Sequence, residues 1–290
     1  MRKLLVGFCL TAVSLLAADR AMHVTVGRLD VAMWKPVGPE PAAGFPVVIF
    51  SHGFGGCNTQ SVFLMEALAH AGYMVLAPNH ADAHCGSARQ ARLGRSDPEE
   101  PFQKAEQWSD ATYKDRRADM EAVLDAVLNA KSFQGVHVDA GRVGIAGHSL
   151  GGYTVLGLAG AWASWKDPRV KAVLALSPYN TPFAQKGTLD RMKVPVMYQG
   201  GTLDLGISPT VSRPNGAYDR SSAPKYYVEF QGAGHLAWTG LNPRFHDVVD
   251  QYSMAFFDRY LKGKVDPEGL PALFGKSPPA GVKFVRSDEK

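Results

Sequence analysis

The stretch Arg142-Val-Gly-Ile-Ala-Gly-His-Ser-Leu-Gly-Gly152 decides the fold. Val143 to Ala146 is a short apolar run that predicts a buried strand, Gly147 and Gly151 permit a sharp turn, and Leu150 onward predicts a helix. Ser149, at the centre of G-x-S-x-G, is thereby expected at a strand end. The glycines relieve crowding, since side chains at 147 or 151 are expected to collide with the strand or helix packed against the turn. A serine hydroxyl is a poor nucleophile until a base takes its proton and N–H donors stabilise the resulting oxyanion. Glycine-rich turns of this kind also occur for packing alone, so the surrounding chain has to supply the base and the donors.

Upstream of the turn, Met22 to Trp34 alternates and predicts one or two antiparallel edge strands. Phe45 to Ser51 and Tyr73 to Ala77 are continuous apolar runs, the pattern of strands buried on both faces, and Thr59 to Ala71 between them has helical spacing. That order is a βαβ unit. Asn79 to Gln107 is polar and is expected to run over the surface; His52 and His70 are expected to be ordinary loop and helix-end residues. Tyr113 to Ala130 places Met120, Val123, Leu124, Val127 and Leu128 on one helical face. Downstream, the helix after Ser149 is expected to reach about Ala163, with strands at Val170 to Leu176 and Val194 to Gln199. Lys225 to Phe230 is expected as the last strand and Phe245 to Leu261 as the closing helix. The expectation is a single-domain α/β fold: a mostly parallel sheet of the eight-stranded type with helices on both faces.

In such a sheet, functional side chains gather at the carboxyl ends of the strands. The strand ending at Leu176 gives Ser177-Pro-Tyr-Asn180, with no acid; the next gives Gly200-Gly-Thr-Leu-Asp204; the last gives Gln231-Gly-Ala-Gly-His235. Serine, aspartate and histidine in that chain order let one imidazole bridge a hydroxyl and a carboxylate. Ser149, Asp204 and His235 are therefore the candidate nucleophile, orienting acid and base, although a post-strand Asp or a loop His taken singly is most often structural. The oxyanion donors expected are the backbone N–H groups of Leu150, after the nucleophile, and of Phe54 in His52-Gly-Phe-Gly-Gly56.

On the motifs His52-Gly-Phe-Gly, Gly147-His-Ser-Leu-Gly-Gly, Gly201-Thr-Leu-Asp and Gly232-Ala-Gly-His, residues 45 to 262 resemble the serine hydrolases of the α/β-hydrolase fold. Within that fold the chain is similar to the dienelactone-hydrolase-like, platelet-activating-factor-acetylhydrolase-like and bacterial polyesterase (cutinase-type) branch. Dienelactone hydrolase proper uses a cysteine where this chain has Ser149, and the acetylhydrolases place their acid one strand earlier, at the level of Ser177 to Asn180. An acid at Asp204 resembles the polyesterase arrangement. The resemblance implies a carboxylic-ester hydrolase, with no cofactor, acting on small-molecule, lipid or polyester esters. His148, Tyr179 and Trp238 neighbour the catalytic elements and are candidates to line the acyl pocket, as they are for core packing. The same triad also serves acyltransferases, thioesterases and peptidases, and a binding protein can keep the fold without activity. The residues leave those alternatives open.

Composition bounds the partners. With 290 residues, 46% hydrophobic and 20% charged, the chain suits one globular domain. Its formal charge of +4 is spread without any Lys- or Arg-rich block, so nucleic acid is not an expected partner. Met-Arg-Lys followed by an apolar run from Leu4 to Leu16 and then Ala17-Ala18 reads as a signal peptide over residues 1–18, ahead of a domain at 19–290, with an uncleaved anchor or a buried first helix as the alternative. An exported, periplasmic or secreted, monomeric protein without stable membrane insertion is expected. Loss of Cys9 with the leader leaves Cys57 and Cys85, a candidate disulfide in an oxidising compartment, with two free thiols as the alternative. His80, Asp82, His84 and Cys85 lie in one loop, and no metal is assigned to them because a serine mechanism needs none.

Overall fold

The structure, a computed structural model, describes residues 21–84, 97–264 and 278–287. The expected leader and Cys85 lie outside these residues. β1 (Met22–Val26) and β2 (Leu29–Trp34) pair antiparallel at one edge of the sheet. β3 (Phe45–Ser51) and β4 (Met74–Pro78), buried along their whole length, enclose α1 (Val62–His70) and pair parallel. α2 (Lys114–Leu128) leads into β5 (Val138–His148), which turns at Ser149 into α3 (Leu150–Leu156). β6 (Val170–Leu176), α4 (Thr181–Lys186), β7 (Val196–Gly201), α5 (Ser208–Ser212), α6 (Ala217–Arg220), β8 (Lys225–Phe230) and α7 (His246–Lys262) follow.

The strands form one sheet in the order β1-β2-β4-β3-β5-β6-β7-β8, closed at the far edge by β9 (Val282–Ser287), antiparallel to β8. Alternation along each strand divides the core. Val47 and Ile49 pack on the face covered by α2 and α3, while Val48 and Phe50 pack on the face covered by α1 and α7. Each such side chain contributes roughly 1.5–3 kcal/mol on burial, so a one-residue slip of β3, which would exchange its two buried sets, is strongly disfavoured.

Two expectations need correction. Among the described residues the sheet has nine strands, because β9 follows what the sequence suggested was the last strand. Val282 and Phe284 pack against the core from a half-exposed strand interleaved with Lys283 and Arg286, too little apolar length to announce itself. The helix after Ser149 stops at Leu156 and continues as a wider turn over Gly157–Ala161, in which Gly160 takes φ 115°. Since β3 and β5 to β8 run parallel, their carboxyl ends deliver residues 52–56, Ser149, Ser177, Asp204 and His235 to one edge of the sheet.

Candidate functional site

The turn at Ser149 is as tight as its glycines suggest. Ser149 adopts φ 56°, ψ −114°, a conformation that non-glycine residues rarely take. A Cβ at Gly151 would stand 1.9 Å from the Ser51 carbonyl oxygen, and one at Gly147 would stand 2.2 Å from that of Gly151. Only hydrogen fits at either position. The turn is held from the next strand: Ser149 N–H donates to the Leu176 carbonyl at 3.0 Å, and the Ser149 carbonyl accepts from Tyr179 N–H at 2.9 Å.

His235 Nε2 lies 2.9 Å from Ser149 Oγ, and its Nδ1 lies 3.1 Å from Asp204 Oδ1. Asp204 is 3% exposed, whereas a third of the imidazole reaches solvent. The second carboxylate oxygen of Asp204 accepts from Ser177 Oγ and, at 3.0 Å, from Ser208 Oγ. Ser177 Oγ also lies 2.9 Å from His235 Nδ1. Burial acts to raise the Asp204 pKa, but the hydrogen bonds from His235, Ser177 and Ser208 outweigh it and hold the carboxyl below its ordinary range.

Leu150 follows Ser149 in the chain, and Phe54 lines the same cleft as Ser149. Leu150 is the first residue of α3, so its N–H has no acceptor within the helix. Among the described residues, no hydrogen bond uses the Phe54 N–H. Phe54 and Ser149 line this cleft of about 420 Å³, together with Gln60, His148, His235 and Leu241 among others. Its outer wall is apolar: Leu236 is 49% and Leu241 77% exposed.

Comparisons with known proteins follow the same line. Residues 106–266, over half of the chain, match the family model described as PET hydrolase-like. The chain belongs to that family. Residues 9–122 also match the model for platelet-activating factor acetylhydrolase, isoform II. Cutinase 2 of Thermobifida cellulosilytica is 29% identical over 50% of this chain and 52% of its own length. Cutinase 1 of the same organism is 25% identical over 77% of this chain and 71% of its own length. A bis(hydroxyethyl) terephthalate hydrolase of Streptomyces coelicolor is 27% identical over 48% of this chain and 41% of its own length. The chain thus spans about half the length of the first curated relatives it matches. The solved ferulic acid esterase of Streptomyces cinnamoneus covers 89% of both chains with a TM-score of 0.64 at 21% identity, a likeness of fold.

The residues expected to line the pocket divide. His148 lines the cleft. Trp238 is fully buried beneath it, stacked 6.2 Å from the His148 ring and donating from Nε1 to Gln199 Oε1 at 3.0 Å. Tyr179 is 4% exposed, packs against Trp108 and Phe102, and donates to the Phe102 carbonyl at 2.8 Å. Those two support the site from below. Cys57 is disulfide-bonded; Cys85, its expected partner, lies outside the described residues. His80 and Asp82, at the start of what the sequence suggested was a surface excursion, are buried and hydrogen-bonded, as is His52. Among the described residues no His/Cys/Asp/Glu group is arranged to hold a metal, and no helix is long and apolar enough to cross a membrane.

Sequence reasoning missed Ser177, Ser208 and Gln60. Ser177 stands in a strand-end tetrapeptide that has no acid, and a hydroxyl there carries no pattern of its own. Gln60 Oε1 accepts Gly53 N–H at 3.0 Å and its Nε2 donates to His148 Nδ1 at 3.1 Å. His148 Nε2 in turn donates to the His235 carbonyl at 2.9 Å. One glutamine thereby ties the Gly53 loop to the loop carrying the imidazole.

Proposed function

We propose that this chain is a carboxylic-ester hydrolase that works through an acyl-enzyme on Ser149. The observation that carries the reading is the pair of contacts on one imidazole: Ser149 Oγ 2.9 Å from Nε2 and Asp204 Oδ1 3.1 Å from Nδ1 of His235. Nδ1–H donates to the carboxylate, so Nε2 presents its lone pair to the hydroxyl. As Ser149 Oγ attacks the ester carbonyl carbon, His235 takes the hydroxyl proton and then gives it to the departing alkoxide. Asp204 stabilises the transient imidazolium. The Phe54 and Leu150 N–H groups are assigned to the oxyanion of the tetrahedral intermediate. Water, deprotonated by the same imidazole, then releases the acid.

The apolar wall of Leu236 and Leu241 suits an ester with an apolar acyl or alcohol part. Relatives named as cutinases and as a terephthalate-ester hydrolase support that substrate class. Export belongs to the same reading, supported by the N-terminal Met-Arg-Lys and apolar run and by the disulfide at Cys57.

Ser149→Ala assayed on p-nitrophenyl acetate and butyrate is the direct test. A loss of about 10⁴-fold or more in kcat is expected. Turnover close to the unsubstituted protein, or failure of that protein to take up a fluorophosphonate probe at Ser149, would end the proposal.

A further inference from the structure

The first turn of α2 buries a charge that the acyl-transfer steps leave without a task. Arg116 is fully buried, and each of the five N–H bonds of its guanidinium meets an acceptor. Nε donates to Asp82 Oδ1 at 3.0 Å and Nη2 to Asp82 Oδ2 at 2.7 Å. The second Nη2 proton goes to the Gly53 carbonyl at 3.3 Å, and the two on Nη1 go to the His52 carbonyl at 2.7 Å and Ser51 Oγ at 3.3 Å. Asp82 is 1% exposed and also accepts Gly55 N–H at 3.3 Å. A buried ion pair of this kind adds little stability over apolar side chains of the same volume, because desolvation of both charges offsets their attraction. Stability therefore does not explain the cluster. What it touches does: two carbonyls and one N–H of the single loop 52–55.

The Gly53–Phe54 peptide is planar and trans, so its C=O and N–H point in opposite directions. The Gly53 oxygen is held on the buried side by two donors, Arg116 Nη2 and, at 2.7 Å, His52 Nδ1. The His52 tautomer follows from its other nitrogen, which accepts His80 N–H at 3.0 Å and so leaves the proton on Nδ1. The 3.4 Å approach of Arg116 Nη2 to His52 Nδ1 is then a contact between two N–H groups and no hydrogen bond. Burial and the adjacent Arg116 keep the His52 pKa well below its ordinary value, in keeping with a neutral ring. Behind it, His80 donates from Nδ1 to Asp119 Oδ2 at 3.0 Å and accepts from Ser51 Oγ at 2.9 Å, which leaves a Ser51 lone pair for Arg116. With Gly53 O held on the buried side, planarity turns the Phe54 N–H the opposite way, and Phe54 lines the same cleft as Ser149.

We propose that Arg116, paired with Asp82, is the positioning residue of the oxyanion loop, clamping the His52 and Gly53 carbonyls so that the Phe54 N–H stays aimed at the tetrahedral adduct on Ser149. This rests on the hydrolase reading above. Lysine cannot stand in, since it offers three donors on a flexible stem where five are used in one plane.

The test compares Arg116→Lys and Asp82→Asn with the unsubstituted protein on p-nitrophenyl butyrate, with active sites titrated by a fluorophosphonate. Arg116→Lys keeps a positive charge beside Asp82. Asp82→Asn keeps the guanidinium, so the question stays answerable should the lysine variant not fold. Per titrated site, kcat is expected to fall on the order of 10²-fold for Arg116→Lys and about 10-fold for Asp82→Asn, with KM changed less than about threefold. The inhibition constant of a trifluoromethyl ketone, whose hemiketal oxyanion occupies the same hole, is expected to rise in parallel with the loss in kcat. A support role alone lowers the melting temperature and the titratable fraction. Unchanged kcat per site and unchanged ketone affinity in either folded variant would overturn the proposal. Failure of the hydrolase reading shows differently: the unsubstituted protein then takes no label at Ser149 and binds no ketone, and the positioning proposal falls with it.

Discussion

Gln60→Glu tests the hydrogen-bond chain across the floor of the cleft. In the native arrangement every atom has a fixed role: Oε1 accepts Gly53 N–H at 3.0 Å, Nε2 donates to His148 Nδ1 at 3.1 Å, and His148 Nε2–H donates to the His235 carbonyl at 2.9 Å. Burial is the main cause that pushes the His148 pKa down to about 3, so its Nδ1 carries a bare lone pair at neutral pH. The substitution preserves the shape and the acceptor for Gly53 but turns a carboxylate oxygen toward that lone pair. It removes the hydrogen bond to His148 Nδ1, about 1 kcal/mol net, together with the longer one from Nε2 to Ser61 Oγ at 3.4 Å, and leaves a largely buried acceptor pair unsatisfied, a further ~1–3 kcal/mol. Either the chain swings apart, loosening the loops of Gly53 and His235 together, or a proton is taken up between the introduced carboxylate and His148. The combined loss of about 2–4 kcal/mol corresponds to roughly 30- to 1,000-fold in kcat/KM at alkaline pH. Uptake of the shared proton restores the bridge as the pH falls. The ratio of variant to unsubstituted kcat/KM on p-nitrophenyl butyrate, followed from pH 9 to pH 5 at a pH-independent wavelength, is therefore expected to rise toward acid. A ratio that stays flat, or a variant within twofold of the unsubstituted protein at pH 9, would refute the reasoning.

Other consequences can be measured separately. Asp250 has a buried oxygen without a partner among the described residues, and burial, then Asp247, push its pKa up to about 7. An acid whose folded pKa exceeds its unfolded value of about 3.9 costs nothing below that value, and the cost grows until the pH passes the folded pKa. Asp250→Asn is thus expected to raise the melting temperature by a few degrees at pH 8.5, about 1–2 kcal/mol after allowance for its partial exposure, and to change it little at pH 4. Equal shifts at both pH values would contradict this. Gly151→Ala places a Cβ 1.9 Å from the Ser51 carbonyl oxygen, backbone against backbone, and is expected to destabilise by about 3 kcal/mol or more; a urea midpoint within experimental error of the unsubstituted protein would be incompatible with the packing described. Peptide mapping of the unreduced protein is expected to find Cys57 joined to Cys85, and a linkage of Cys57 to any other residue would exclude that pairing.

What the sequence determined was local in origin. Burial on both faces of a parallel strand requires a continuous apolar run, and Phe45 to Ser51 and Val170 to Leu176 have the bounds of β3 and β6. The turn at Ser149 was legible because its glycines are demanded by contacts just across it, and Asp204 and His235 because parallel strands place their following loops at one edge. Tertiary structure alone decided everything that depends on which distant side chains meet. Ser177 and Ser208 reach Asp204, Gln60 reaches His148 across 88 residues, and Arg116 reaches the loop 52–55 from a helix whose periodicity marks only Met120 to Leu128 as its buried face. A hydroxyl, an amide or a single arginine leaves no periodic trace, because its energy comes from one partner and not from a face. The same holds for β9, whose alternation with lysine and arginine acquires meaning only against the edge of β8. Tyr179 and Trp238 illustrate the converse: neighbourhood in sequence brought them to the site, but the direction of their side chains, set by Trp108 and Gln199, put them beneath its floor.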